Sequence, residues 1–339
     1  MSNLLTKQRF ALVLASYLLL SAMVLCTTPF FGSEALDFRE VTAGLFSSKA
    51  SVDFEIFFYH RVPRVLLAFL VGGALAVSGG ALQVVLSNPL AEPFILGIAG
   101  GGALGAVMAL SVPGLLIHLG PFSTVQLFSL AGCLFCILAI YRFSLGPLGV
   151  SMTTILLAGV TINILCGAAI LLLRYLVSPH LLVAMDRWMM GGLDVVGYRE
   201  ILALLPLLVP GLGLLLGQAQ ALNQLAFGEE MAMGHGVTVA WVQKQILLGT
   251  GLVAAAAVAL AGPIGFVGLI IPHVVRRLSG VDHRVVLPAC FCMGGTFLAI
   301  CDLVARTIVS PTEMPVGIIT AMIGGPVFLR MLFKRERLR

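Results

Sequence analysis

Residues 65–86, VLLAFLVGGALAVSGGALQVVL, decide the fold of this chain. The segment runs for 22 residues without a charged side chain, and about 20 consecutive apolar residues are enough for a helix to cross the hydrocarbon core of a bilayer. Its glycines are typical of membrane helices, which use small residues to approach one another closely. The segment therefore predicts a transmembrane helix.

The rest of the chain has the same character. Of its 339 residues, 59% are hydrophobic and only 10% are charged, and the mean hydropathy is +1.07. Soluble domains carry about 25% charged residues. The few polar residues cannot cover the surface of a protein that faces water. We therefore predict an integral membrane protein with a single transmembrane domain spanning residues 1–339.

Hydropathy predicts an all-α, polytopic bundle of about ten helices. The predicted spans are 10–27, 65–86, 94–112, 122–141, 153–175, 201–216, 246–260, 264–271, 285–309 and 316–332. The eighth is far too short for a helix that faces lipid, so protein must surround it. We therefore expect a break in the bundle near Gly262.

The distribution of basic residues predicts the orientation. With ten spans both termini lie on one side, and placing that side in the cytoplasm puts 12 of the 20 Lys and Arg residues there. This is the arrangement that the positive-inside rule favours. The orientation makes 31–60 the first external loop and places the polar stretch 218–245 inside.

A faint internal repeat links the two halves. Aligning 73–89 with 256–272 pairs Gly79 with Gly262 and Pro89 with Pro272. The two helices start on opposite faces, so we predict an inverted repeat, which in transporters brackets a central pathway. Chance similarity between helices rich in Ala and Gly is the alternative.

Sequence motifs for catalysis are missing. There is no G-x-x-x-x-G-K-[ST], no H-E-x-x-H and no G-x-S-x-G, and paired intramembrane carboxylates suited to a proton relay are absent. The seven cysteines lie in apolar runs without a metal-ligand pattern. We predict no catalytic residue, no metal site and no cofactor on this chain, and expect its energy source on another chain.

Polar residues cluster at the ends of the spans. His60 to Arg64 is predicted to be a fixed turn that presents two arginines before a helix, and Asp302 and Arg306 are four residues apart on one helical face. They could neutralise each other or receive acidic residues of a soluble partner. Residues 228–236 predict a short helix bounded by glycines, either a plain surface element or one that presses into another protein.

Three long runs resemble the permease subunits of ABC importers for iron-siderophore complexes, haem and cobalamin. They are RVPRVLLAFLVGGALAVSGGALQVVLSNPLAEPFILGIAGG (61–101), GPIGFVGLIIPHVVRRLSGVDHRVVLP (262–288) and EMPVGIITAMIGGPVF (313–328). The resemblance implies ten helices per subunit and a homodimer around one path in the bacterial inner membrane, embedded in lipid. It also implies two cytoplasmic ATPase subunits that carry ATP and Mg²⁺ and a periplasmic binding protein, with no nucleic-acid partner.

The resemblance also implies roles for individual residues. Arg61, Arg64 and Arg306 match arginines that dock the binding protein. The residues that match the ATPase-coupling element are Leu222, Leu225, Gly228, Glu229, Glu230, Ala232 and Gly236. The residues that match the translocation path are Gln83, Asn88, Leu90, Met152 and Thr153. The ending Gly234-His235-Gly236 departs from the family's Leu-Gly, and Met152 stands where the cobalamin importer has a small hydroxyl residue.

These features predict a permease that moves a large metal chelate, an iron-siderophore or haem, with cobalamin as the alternative cargo. A stand-alone secondary carrier would need the membrane-embedded carboxylate relay that the sequence lacks. A scaffold or receptor without transport activity would not need a dimeric path.

Overall fold

A computed structural model of the chain describes residues 7–32, 34, 36–46, 51–146, 149–150, 152–309 and 312–336. Lys49, Arg337 and Arg339 of the charge count lie outside these residues, and so does the side chain of Met152. Helix dominates, which confirms the all-α class. The strands form two small antiparallel pairs, β1 (His118–Leu119) with β2 (Phe122–Ser123), and β3 (Leu145–Gly146) with β4 (Gly149–Val150).

The described residues form a succession of helices. They are α1 (Lys7–Thr27), α2 (Phe38–Phe46), α3 (Val52–Glu55), α4 (Val62–Val85), α5 (Ile98–Leu110), α6 (Thr124–Ser144), α7 (Met152–Leu176), α8 (Pro179–Met189), α9 (Arg199–Gly217), α10 (Ala219–Leu225), α11 (Glu229–Gly234), α12 (Val239–Ala261), α13 (Val267–Ser279), α14 (His283–Thr307) and α15 (Val316–Glu336). Short 3₁₀ turns cover Thr28–Phe30 and Pro113–Leu115, and a π-helix covers Ile56–Arg61.

Seven helical segments of the described part are long and apolar enough to cross a membrane. They are Phe10–Phe30, Val52–Val85, Thr124–Ser144, Thr153–Leu176, Arg199–Gly217, Val239–Ala261 and His283–Thr307. Two further apolar helices, Ile98–Leu110 and Val316–Arg330, are shorter. A multi-pass helical architecture is therefore confirmed, whereas ten crossings remain a prediction.

The predicted break near Gly262 is present. Gly262 ends α12 with a φ of 65°, and α13 begins after Phe266, which has a φ of 71°. Helix α13 has 13 residues, and Val267 and Ile271 in its first half are buried. The short predicted span is therefore sheltered by protein, as a helix too short to cross the bilayer requires.

The predicted start of the third span at residue 94 is wrong, because α5 begins only at Ile98. Residues 89–97 form turns, and Gly97 takes a φ of 75° immediately before the helix. The chain therefore twice shows a long helix, a break and a 13-residue helix preceded by a positive φ, in α4–α5 and in α12–α13. Gly79 and Gly262, which the predicted repeat aligns, differ in conformation: Gly79 lies inside α4, whereas Gly262 ends α12.

The fixed turn predicted at 60–64 is also wrong, because the chain is helical from Val52 to Val85. Pro63 has no N–H and cannot bond the carbonyl four residues earlier, which belongs to Tyr59. The π-helix before Pro63 frees that carbonyl. Tyr59 O instead accepts the N–H of Gly197 at 2.7 Å, and Phe58 O accepts the hydroxyl of Tyr198 at 2.9 Å.

The helices divide into inner and peripheral sets. The segments that contain α4, α12 and α14 are mostly enclosed by protein: in an apolar stretch of 18 residues in each, 83%, 78% and 72% of the residues are buried, whereas for the segment that contains α1 the fraction is 11%. Helix α4 packs along α14, where Gly72 and Gly294 face each other so closely that a Cβ on either would overlap the carbonyl oxygen of the other. Close contact between small residues is how helices associate in lipid.

Candidate functional site

Five charged side chains meet where the start of α4 approaches the end of α14. Arg61, Arg64, Asp302, Arg306 and Glu313 form this charged cluster. Helix α4 supplies Arg64 in its first turn, and α14 supplies Asp302 and Arg306 in its last two turns. The helical spacing predicted for Asp302 and Arg306 is confirmed.

Asp302 is the centre of the charged cluster. Its carboxylate is fully buried and lies 2.9 Å from Nε of Arg64 and 3.0 Å from Nε of Arg306. Arg64 also contacts Glu313 at 2.5 Å, and Nη1 of Arg306 donates to the carbonyl of Phe31 at 3.2 Å. Because a buried charge left without its partner is costly, Asp302 holds both arginines in place.

Arg61 is held by main-chain carbonyls of the segment that follows α1. Its Nη1 donates to Pro29 O and Phe30 O, both at 3.3 Å, and its Nη2 donates to Glu34 O at 2.5 Å. Only 6% of Arg61 is exposed. The side chain therefore ties the end of α1 to the π-helix.

The three predicted docking arginines line one cleft of about 630 Å³, together with His60, Asp194 and Glu313. The structure thus brings Arg306 together with Arg61 and Arg64, although it lies far from them in the sequence. In this conformation each is engaged by acceptors of its own chain, so a partner carboxylate would compete with these acceptors. Docking by these residues stays a prediction.

Gln83 was predicted to line the translocation path, but it is enclosed between helices. It is 6% exposed, its Nε2 donates to the carbonyls of Gly268 and Leu269 at 3.2 and 3.3 Å, and its Oε1 accepts from Arg276. Its amide satisfies main-chain groups where α4 crosses α13, because unpaired polar groups are costly in a bundle. Gln83 therefore fastens these two helices together.

The other predicted path residues lie in a turn and in a helix start. Asn88 accepts the N–H of Leu90 at 2.9 Å through its Oδ1, closing the turn after α4, and both residues are half-buried. Met152 begins α7, and Thr153 in its first turn is exposed. The exposure of Thr153 leaves it free to face a neighbouring chain, and the path assignment of these four residues remains a prediction.

The predicted short helix at 228–236 is confirmed, and a second one precedes it. Helices α10 and α11, the short-helix pair, are separated by residues 226–228, of which Gly228 has a φ of 109°. The ending Gly234-His235-Gly236 terminates α11 with its last carbonyl groups hydrogen-bonded. Gly236 adopts a φ of 84°, its N–H donates to Met233 O, and the N–H of Val237 donates to Ala232 O. This is the hydrogen-bond pattern of a Schellman motif.

The predicted coupling residues fall into two groups. Leu222, Leu225 and Ala232 are buried against the bundle and cannot be surface contacts, because they anchor the short-helix pair by its apolar side. The other predicted residues are exposed, namely Gly228, Glu229, Glu230 and Gly236.

The structure adds three apolar residues to the exposed side of the short-helix pair. Phe227, Met231 and Met233 are 75%, 54% and 55% exposed. The sequence could have indicated these three residues, because they are apolar and lie inside the longest polar stretch of the chain. A plain surface element would carry polar residues there.

Asn223 and Gln243 provide side-chain links that join the short-helix pair to the bundle. Asn223 of α10 donates to Asp282 at 2.8 Å, and Gln243 of α12 donates to Glu229 of α11 at 2.9 Å. Asp282 precedes α14 and caps it by accepting the N–H of Arg284 at 3.0 Å. The hydrogen bond from the Arg284 side chain lowers the pKa of Asp282 to about 2, so this carboxylate stays ionised.

Glu92 was not selected from the sequence, although a signal existed. It is the only charged residue between Arg64 and Arg142. The structure places it in the break between α4 and α5, 9% exposed, beside the backbone N–H of Phe266 at the start of α13. Burial raises the pKa of its carboxyl to about 7, against the lowering effect of the Phe266 hydrogen bond.

The amino-acid sequence is similar to those of known transport proteins. Residues 18–334 match the sequence model of the FecCD transport family. The chain is 37% identical to the hemin transport system permease protein HmuU of Yersinia pestis over 97% of both chains. It is 42% identical to the cobalamin import system permease protein BtuC of Halobacterium salinarum, over 81% of this chain and 73% of that one.

A solved structure is similar over almost the whole chain. It is an inward-facing conformation of a protein assigned to the metal-chelate type of ABC transporter. It is 28% identical in sequence, superposes with a TM-score of 0.81, and the match covers 96% of this chain and 99% of that one. The similarity therefore extends beyond the three sequence runs to the complete bundle.

Proposed function

Because the chain belongs to the FecCD transport family, we propose that it is the membrane-spanning permease subunit of an ABC importer that moves a large metal chelate. The observation that carries this proposal is the near full-length similarity to a hemin transport permease and to a metal-chelate type ABC transporter. The multi-pass helical bundle provides the transmembrane body that such a subunit needs.

The short-helix pair supports a cytoplasmic ATPase as partner. It projects Phe227, Met231 and Met233 from a polar segment outside the apolar spans, and exposed apolar side chains of this kind mark protein interfaces. Two copies of the ATPase, one for each permease of a homodimer, would bind ATP and Mg²⁺ and hydrolyse the nucleotide. The permease itself breaks no bond in the cargo.

The charged cluster supports a periplasmic binding protein as the second partner. Arg61, Arg64 and Arg306 line one cleft, and carboxylates of a docking protein would form charge-assisted hydrogen bonds there. Such a protein must replace part of the internal pairing, above all the contact of Arg64 with Glu313. Electrostatic docking of this type is sensitive to salt.

The proposed assembly is a homodimer in the bacterial inner membrane, with ten crossings per subunit and both termini in the cytoplasm. The two helix–break–helix units, α4–α5 and α12–α13, support an inverted repeat. Nucleotide binding would move the short-helix pair and shift the bundle between outward-open and inward-open states.

Haem or an iron-siderophore is the proposed cargo, and cobalamin is the alternative. A hemin permease matches over the full length, whereas a cobalamin permease shows a slightly higher identity over a shorter range. Wide paths for large chelates make few polar contacts, so the cargo is selected mainly by the binding protein.

Reconstitution tests the proposal. The permease should be placed in liposomes with its cognate ATPase and binding protein and supplied with haemin, a ferric siderophore or cyanocobalamin. We expect uptake of one chelate that requires ATP and the binding protein. Uptake without nucleotide would instead indicate a stand-alone carrier, and failure of the ATPase to co-purify would contradict the importer.

A further inference from the structure

Asn223 makes three hydrogen bonds that fix α10 to the start of α14. Its Nδ2 donates to Oδ1 of Asp282 at 2.8 Å, and its Oδ1 accepts the main-chain N–H of His283 at 2.7 Å. The same Oδ1 lies 2.8 Å from Nδ1 of His283, which must carry the proton because the amide oxygen only accepts. His283 is 3% exposed, so the contact lies inside the protein.

Helix α14 leads from this contact to the charged cluster. It has 25 residues, or about 37 Å at 1.5 Å per residue, and its last two turns carry Asp302 and Arg306. Along its length it packs against α4, with Gly72 and Gly294 in direct contact. Helix α4 carries Arg64, the other partner of Asp302, so both helices reach the charged cluster together.

The second link of the short-helix pair leads into α12, which also packs against α4. Gln243 connects α11 to α12 through one hydrogen bond to Glu229. Helix α12 ends at Ala261, whose carbonyl accepts the N–H of Gly192. Among the described residues, the three-bond contact of Asn223 is the side-chain link that leads directly from the short-helix pair to the helix that carries Asp302.

We propose that Asn223 is a positioning residue through which movement of the short-helix pair is transmitted along α14 to the charged cluster. The inference rests on the proposed function, since it takes the short-helix pair as the ATPase contact and the charged cluster as the binding-protein contact. Asn223 acts through Asp282 and His283 and touches neither partner. Rigid secondary elements carry coupling between distant sites, and α14 is one such element that runs from the Asn223 contact to the charged cluster.

Asn223→Ala in the reconstituted importer tests the inference. The variant should assemble with the ATPase as wild type does and keep its basal ATP hydrolysis, because the exposed face of the short-helix pair is unchanged. Stimulation of hydrolysis by the chelate-loaded binding protein should fall about fivefold or more. Typical coupling between two sites changes affinity by at least this factor. The matched control is Gln220→Ala, an exposed residue of the same helix.

A swapped pair separates coupling from local damage. Asn223→Asp alone places a carboxylate against Asp282 and should uncouple, whereas Asn223→Asp combined with Asp282→Asn restores an amide–carboxylate contact and keeps a good N-cap for α14. The double variant should recover most of the stimulation.

Each other outcome has a defined meaning. Wild-type stimulation in Asn223→Ala would overturn the inference and leave the proposed function intact. Loss of ATPase assembly in Asn223→Ala would also overturn it, because Asn223 would then shape the contact surface itself. If wild-type permease neither assembles with the ATPase nor responds to the binding protein, the proposed function fails first.

Discussion

Glu92 is a carboxylate enclosed by apolar side chains in the break after α4. Leu75, Phe94 and Val258 line the small cavity beside it. Burial raises its pKa to about 7 from an ordinary value of 4.5, so the folded state binds the proton more tightly than the unfolded state. The contribution of Glu92 to stability is therefore greatest below pH 4.5 and falls as the pH rises to 7, by about 3 kcal/mol in total.

Glu92→Gln should remove this pH dependence, because the amide keeps the shape of the carboxyl without its charge. Thermal unfolding of the purified permease in detergent would be measured at pH 5 and pH 8. We expect the variant to be more stable than wild type at pH 8 and similar at pH 5. The control is Glu230→Gln, since Glu230 is exposed. Equal pH dependence in Glu92→Gln and wild type would contradict the assignment.

At the scale of elements, the contact between α4 and α14 determines how closely the inner helices approach. Gly72 and Gly294 let the two backbones touch, and the aromatic rings of Phe69 and Phe291 pack edge to face beside them, with centroids 5.4 Å apart. Lipid provides no hydrophobic drive for helix association, so the fit of the backbones carries the stability. The same contact sets the spacing of Arg64 and Asp302.

Gly294→Leu should force α4 and α14 apart. Overpacking of a tight core costs about 1–3 kcal/mol, and a backbone contact cannot relax by a change of rotamer. We expect a lower unfolding temperature and loss of monodispersity in size-exclusion chromatography. Gly213→Leu on α9 is the matched control, because nothing lies near the position of its missing Cβ. Similar losses in both variants would show that bulk alone, and not this contact, is responsible.

At the scale of the whole molecule, the charged cluster and the short-helix pair are two surfaces separated by an apolar bundle. The charged cluster lies where α4 begins and α14 ends, and the short-helix pair lies where α14 begins. Each surface has its own chemistry, charged at one end and exposed apolar at the other. Substitutions at the two ends should therefore affect different partners.

Arg64→Gln should weaken binding of the binding protein about tenfold, as loss of one charged hydrogen bond predicts, and leave ATPase assembly unchanged. Phe227→Ser combined with Met231→Ser should weaken ATPase assembly and leave the affinity for the binding protein unchanged. Affinity for each partner would be measured in nanodiscs at low and high salt.

Glu313→Gln should strengthen docking, because it removes the internal competitor of Arg64. Unchanged docking in both Arg64→Gln and Glu313→Gln would exclude the charged cluster as the contact.

Some of the site could be predicted from the sequence because it depends on local spacing. Asp302 and Arg306 share a helical face by their four-residue separation, and the glycines around 229–234 bound a short helix by their conformational freedom. The enclosure of Gln83 could not be predicted, because its partners lie at least 185 residues away, in α13. The turn expected at 60–64 failed because a π-helix can accommodate Pro63.

Residues 65–86 by themselves determined that this chain enters a membrane as helix, since a long uncharged run has no stable alternative in water or in lipid. Hydropathy determined most of the other helices for the same reason. Only the tertiary structure decided that this segment is an inner helix against α14, that Arg64 faces Asp302, and that Asn223 joins α10 to α14. Those contacts depend on which faces of distant helices meet, and local sequence carries no record of that choice.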